Sequence, residues 1–163
     1  MSQAKVKLGL IGAGSWGKNY IKTISEEKEV ELRQIASKSL KTKDLVESNC
    51  HITENWNEVV HAKDIDGIII ATPAIYHAEI IYEALKTEKA ILVEKPMASC
   101  LKDAEKIFEL TKNTEKIVLV DHIHLYNPAF KALKARINRI KDIHSIVSIG
   151  GSYGPFRSEL RAL

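Results

Sequence analysis

The stretch Leu8–Gly17, LGLIGAGSWG, restricts the fold of this chain more than any other. It places Gly12, Gly14 and Gly17 in the spacing G-x-G-x-x-G. Three glycines fall into that spacing by chance in many proteins, so the flanks decide. Val6, Leu8, Leu10 and Ile11 form an apolar strand run before the glycines, and Trp16, Tyr20, Ile21 and Ile24 recur at helical spacing after them. A strand, a glycine turn and a helix in the first βα unit form the context in which this spacing cradles a dinucleotide. Gly12 permits the tight turn, Gly14 lets the backbone approach a pyrophosphate, and Gly17 lets the helix pack closely on the strand. Ala13, Ser15 and Trp16 complete the loop. The helix N-terminus adds unpaired N–H groups and the positive end of its dipole. The same residues would also suit an ordinary strand-to-helix turn that binds nothing.

The rest of the chain repeats the alternation. Strands are predicted at Val30–Ser37, His51–Thr53, Gly67–Thr72, Ala90–Glu94 and Lys116–Val120. Helices are predicted at Thr42–Asn49, at Asn55–His61 with Trp56, Val59 and Val60 inward, and at Ile75–Lys86 with Ile80, Ile81, Ala84 and Leu85 inward. A further helix, capped by Ser99, would carry Leu101, Ala104, Ile107, Phe108 and Leu110 on its apolar face. The continuous β-branched run GIIIAT suits a parallel strand buried on both faces. Such alternation predicts an α/β fold of Rossmann type, a doubly wound parallel sheet with right-handed crossovers. Ligands of such sheets lie at the carboxyl ends of the strands, near the switch in strand order.

Beyond Asp121 the pattern changes. Ala129–Ile140 reads as a basic amphipathic helix, and Ile143–Tyr153 alternates apolar and polar residues as a half-exposed strand before Gly150, Gly151, Gly154 and Pro155 break it. Residues 1–121 are therefore expected to form the nucleotide-binding domain. Residues 122–163 would form a linker helix and only the first strand of a second, α+β domain. An unpaired apolar strand is a sticky edge, and dimerisation or a complementary chain through 143–153 would relieve it.

Composition excludes more than it assigns. A net charge of +3, from 24 Lys and Arg against 21 Asp and Glu, is scattered and leaves no nucleic-acid footprint. No stretch approaches membrane-spanning length, and the short N-terminal apolar run reads as a strand rather than a signal peptide. Cys50 and Cys100 lie far apart in no C-x-x-C arrangement, as free thiols of a reducing cytoplasm would. No His, Cys or carboxylate set has metal-ligand spacing, so no metal is expected.

Three further groups fall at strand ends. The end of the second strand is where an NAD-binding chain places Asp or Glu on the ribose 2′-hydroxyl. Here it carries Ser37, Lys38 and Ser39, with no acid before Asp44. Hydroxyls and a cation accept a 2′-phosphate that a carboxylate would repel, so NADP is expected over NAD. Thr72-Pro73 ends the fourth strand, and His77 lies one turn into the next helix. That loop can lie against the nicotinamide ribose and His77 can face the cleft, although a lone histidine in a first helical turn is often a bystander. Glu94-Lys95-Pro96 follows a buried strand directly. Lys95 can there hand a proton or hydrogen bond to a substrate oxygen, with Glu94 orienting it and Pro96 fixing the loop.

GAGSWG at 12–17, ATPAIYH at 71–77 and VEKP at 93–96, in that order and each at a strand end, resemble the glucose–fructose oxidoreductase and inositol dehydrogenase (Gfo/Idh/MocA) family. WGKN at 16–19 and LYNPA at 125–129 look most like the subgroup acting on UDP-linked amino sugars. The resemblance implies NAD(P)-dependent hydride transfer at a sugar or nucleotide-sugar carbon, with Lys95 catalytic. It also implies cofactor contacts at Gly12, Gly14, Ser15, Trp16, Gly17, Thr72, Pro73, His77 and Glu94. Two departures stand out. Leu125 occupies a position where many members carry arginine, and a D-x-x-x-H pair of the members' second domain would begin only where this chain ends. The expected protein is an NADP-dependent oxidoreductase in truncated form. The alternative is a non-catalytic dinucleotide-binding module or gene remnant, acting as sensor or partner subunit.

Overall fold

The computed structural model describes residues 4–137, 140, 142–147 and 149. The chain divides into two units, 1–122 and 123–163. The first contains six parallel strands: β1 (Val6–Ile11), β2 (Val30–Ala36), β3 (His51–Thr53), β4 (Gly67–Ile70), β5 (Ala90–Val93) and β6 (Val118–Val120). Their order is β3-β2-β1-β4-β5-β6. The order reverses direction between β1 and β4, so their carboxyl ends open a crevice where a ligand can enter.

Four helices cover this sheet: α1 (Ser15–Glu26), α2 (Trp56–His61), α3 (His77–Ala84) and α4 (Leu101–Thr111). Side chains alternate across β4. Ile68 and Ile70 join Val59, Val60, Ile80, Ile81 and Ile107 in one core cluster, while Ile69 joins Leu10, Ile21, Ile24 and Ile35 in the other. All four β4 residues are buried, as the β-branched run predicts. Pairing of β1 with β2 slips between Leu8 and Gly9, which leaves Arg33 as an extra residue on β2. A Cβ on Gly9 would come within 2.6 Å of Val59 Cγ1, so a side chain there requires Val59 and Ile65 to shift.

Several local expectations give way. Instead of a helix over Thr42–Asn49 the chain forms a 3-10 turn at Leu40–Leu45. Thr42 is buried there and its hydroxyl pairs with that of Ser37 at 2.8 Å, a side-chain bond that competes with a regular helix. The helix expected from Ile75 starts as a 3-10 turn at Ala74–Tyr76 and becomes α-helical at His77. Cys100, not Ser99, is the N-cap residue of α4, and it makes no side-chain cap bond. On α4 only Ile107 is buried, whereas Leu101 and Phe108 are 72% and 60% exposed. Those two are seven residues apart and share a stripe turned about 100° from Ile107, so one helix face cannot bury all three.

In the second unit, a 3-10 turn at Ile123–Tyr126 precedes α5 (Pro128–Ile137). The amphipathic helix expected at Ala129–Ile140 thus begins one residue earlier, and Ile140 lies outside it. No side chain of α5 is buried. The strand expected at Ile143–Tyr153 does not form over 143–147, where the chain is irregular and exposed. Residues 148 and 150–153 of that expectation, with the break at Gly154 and Pro155, lie outside the described residues. Among the described residues no helix is long and apolar enough to cross a membrane, and no cluster of His, Cys, Asp or Glu could hold a metal ion.

The two cysteines differ sharply. Cys50 is buried, which pushes its thiol from 9.0 up to about 11, while Cys100 is exposed. Burial and the raised thiol pKa both protect Cys50 from reagents. A chromogenic disulfide reagent is expected to modify one thiol quickly in the folded chain, and the second only in denaturant. Equal rates for both would contradict this packing. The same shift makes Cys50 favour folding less as pH rises from about 9 to 11, because the unfolded chain then loses the proton that the folded chain keeps.

Candidate dinucleotide site

β1 runs into the glycine loop because its last residues are wholly apolar and buried, while Gly12 takes a positive φ of 100° that ends the strand. A Cβ on Gly12 would meet the Ala71 carbonyl oxygen at 2.6 Å, and one on Gly17 would collide with the Gly12 carbonyl oxygen. Gly14 differs from both, since nothing lies within 4 Å of where its Cβ would stand. The loop therefore presents bare backbone to open space at the N-terminus of α1. That first turn carries no acidic side chain, so the helix dipole there is not offset.

The opening is the mouth of a cleft of about 740 Å³. Its walls bring together Gly12, Ala13, Gly14 and Ser15 from the glycine loop, Ser37, Lys38 and Ser39 from the end of β2, and Thr72 and Pro73 from beyond β4. Thr72 Oγ1 is buried on this wall without a hydrogen-bond partner. An anionic ligand with hydroxyl groups fits these features: free N–H groups, an unpartnered hydroxyl, and a Lys38 that is exposed.

Ser37 is less free than the sequence implies. Its hydroxyl pairs with Thr42 and accepts from the Ser39 N–H at 3.1 Å, so it shapes the turn that displays Lys38 and Ser39. The cleft also contains Lys18, Glu54, Trp56 and Tyr76, which sequence reasoning did not assign to it. Lys18 belongs to the WGKN run and lies one turn into α1, which places it on the glycine loop's side. Glu54 and Trp56 carry no motif of their own and reach the cleft through the loop after β3, whereas Tyr76 lies within ATPAIYH after β4 with no role of its own assigned there.

Five of the expected residues are not on this wall. Gly17 is buried behind the loop, and Trp16 is 48% exposed on the first turn of α1. His77 is 1% exposed and lies inside the protein rather than on the cleft surface. Its Nδ1 is 2.8 Å from the Pro96 carbonyl oxygen and its Nε2 is 2.8 Å from that of Thr72. Glu94 and Lys95 stand at the carboxyl end of β5, directly beside that of β4, with the Glu94 N–H donating to the Ile70 carbonyl at 2.9 Å. Lys95 is exposed, and the Lys95–Pro96 peptide bond is cis.

Glu94 is buried, which an isolated carboxylate resists. The Tyr20 hydroxyl from α1 approaches Glu94 Oε1 at 3.1 Å and Asp121 Oδ2 at 2.5 Å. Burial, then the hydrogen bond to Asp121, holds this phenol far above its usual ionisation range. Tyr20 thus stays a donor and ties the ends of β5 and β6 to the first helix.

A cradle of bare glycine backbone at a helix N-terminus, on the switch point of a six-stranded parallel sheet, defines a dinucleotide-binding Rossmann domain. The sequence profile of the oxidoreductase family with an NAD-binding Rossmann fold matches residues 6–122, and the chain belongs to that family, Gfo/Idh/MocA. Inositol 2-dehydrogenase of Rhizobium meliloti is 27% identical over 86% of this chain and 44% of its own length. A crystal structure from Magnetospirillum magnetotacticum MS-1 is 44% identical and superposes with a TM-score of 0.77, covering 83% of this chain and 44% of that one. Myo-inositol dehydrogenase of Lactobacillus casei, solved with NAD(H) and myo-inositol, shares the fold at 23% identity, with a TM-score of 0.76 over 83% of this chain and 42% of that one. The chain spans 39% and 44% of the length of two curated relatives that it matches.

Proposed function

We propose that this domain binds NADP and serves an oxidoreductase acting on a sugar, polyol or nucleotide sugar. The observation that carries the reading is the bare Gly14 backbone facing an open cleft that Lys38 and Ser39 also line. The N–H groups at the start of α1 would hold the pyrophosphate, and Lys38 with Ser39 would take the 2′-phosphate. The Thr72 hydroxyl would serve the ribose. When bound, the nicotinamide supplies a hydride acceptor or donor. Lys95, exposed at the end of β5, would hold or release the hydroxyl proton of the substrate. The inositol dehydrogenases among the relatives support a polyhydroxylated substrate.

Glu54 on the same cleft favours a second reading, NAD, because a carboxylate there would repel a 2′-phosphate. Calorimetric titration with NADPH and NADH separates the two. NADPH is expected to bind more tightly, and Lys38→Glu is expected to cost NADPH about tenfold or more while leaving NADH within about threefold, as loss of one phosphate–cation contact predicts. A preference for NADH that Lys38→Glu does not change would replace NADP by NAD. Tight binding of either cofactor with no turnover on any polyol or nucleotide sugar would make the chain a binding module.

A further inference from the structure

We infer that His77 is a positioning residue for Lys95, tying the Lys95–Pro96 loop to the wall of the cofactor cleft. This rests on the reading of Lys95 as the proton-handling group. The Thr72 and Pro96 loops leave adjacent strands, β4 and β5, at the same end of the sheet. A backbone carbonyl of each lies 2.8 Å from a different nitrogen of the His77 ring. Both partners are acceptors only, and the ring is 1% exposed. A neutral imidazole carries one N–H and donates to one carbonyl; a doubly protonated ring donates to both. The ring's two nitrogens thus face the two loops at once, and whichever carries the N–H donates to its carbonyl.

The consequence for Lys95 follows from its neighbours. On one side, Glu94 is fixed by its N–H on Ile70 and by Tyr20 on its carboxylate. On the other side, the carbonyl of Pro96 lies 2.8 Å from one nitrogen of His77, whose other nitrogen lies 2.8 Å from the carbonyl of Thr72 on the cleft wall. Lys95 itself is exposed and lies between these two anchors. His77 thereby sets the distance between the residue that would handle the proton and the wall against which the cofactor would lie. Catalytic geometry is sensitive to such placement, because an ångström of displacement costs about a hundredfold in rate.

The test uses the chain labelled with ε-13C lysine, with the Lys95 signal assigned by its absence in Lys95→Arg. His77→Gln is expected to move the Lys95 signal of the free chain toward that of a mobile lysine, with NADPH affinity within about tenfold of the parent and the other lysine signals unmoved. An unchanged Lys95 signal in folded His77→Gln overturns the inference. In the parent, a Lys95 signal that ignores saturating NADPH would instead count against Lys95 as the proton-handling group, while the comparison of the free chains still reads the tie. If His77→Gln does not fold, nitrogen-resolved spectra of the parent decide. A slowly exchanging ring N–H proton on His77, held by one of the two carbonyls, is expected, and fast exchange of that proton overturns the tie.

Discussion

Gly17→Ala is expected to destabilise the domain by about 3 kcal/mol or more, whereas Gly14→Ala, three residues away, is expected to change stability by less than about 1 kcal/mol. The contrast comes from what each new methyl would meet. At Gly17 it meets the carbonyl oxygen of Gly12, a backbone atom held by the turn that ends β1, so neither partner can give way. Three kilocalories is a large share of the ~5–15 kcal/mol that separates folded from unfolded domains, and it should appear as a lower urea midpoint. At Gly14 the methyl meets nothing within 4 Å, and the residue's φ of −68° is one that alanine adopts freely. That methyl would occupy the space a pyrophosphate needs. Gly14→Ala is therefore expected to keep the fold and to lower NADPH affinity about tenfold or more, a loss of ~1.4 kcal/mol. Equal stability losses in the two variants, or an unchanged affinity in Gly14→Ala, would refute this division of labour within the loop.

Lys95→Ala is expected to lower turnover by about 10²- to 10⁴-fold, the range for removing a positioned proton-transfer group. NADPH affinity should stay within about threefold, because Lys95 is exposed and lies off the wall of the dinucleotide cleft. Truncating it leaves no buried group unpaired, so the stability of the domain should hardly move. Nicotinamide absorbance with a panel of polyols and nucleotide sugars reads the turnover, and calorimetry reads the affinity. Undiminished turnover would remove Lys95 from the chemistry. A parallel fall in affinity would make it a cofactor-binding residue instead.

Much of this architecture is legible in the sequence because burial on both faces leaves a strong signature. GIII and AILV are short apolar runs, and they form the neighbouring interior strands β4 and β5. The glycine spacing is legible for a similar reason, since positive φ and close backbone approach leave few alternatives to glycine. What sequence does not reveal is contact between distant loops. Trp56 reads as an inward residue of its helix, and Tyr76 falls within ATPAIYH without a role of its own, yet both reach the dinucleotide cleft. Glu54 escapes a search for an acid at the end of β2 because it arrives from the neighbouring strand β3. His77 was legible as a residue of interest, but its two carbonyl partners lie five positions before it and nineteen after it. Helix faces fail differently. Leu101, Ile107 and Phe108 all fit an apolar periodicity, but the sheet has room for one stripe of α4, and it takes the stripe of Ile107.

The central claim is that the cleft above the glycine loop is a dinucleotide site, and calorimetric titration of the 163-residue chain with NADPH tests it most directly. The account predicts saturable binding of one NADPH per chain, weaker binding of NADH, and a marked loss of NADPH affinity in folded Gly14→Ala. Absence of binding by both cofactors in a folded chain would contradict it.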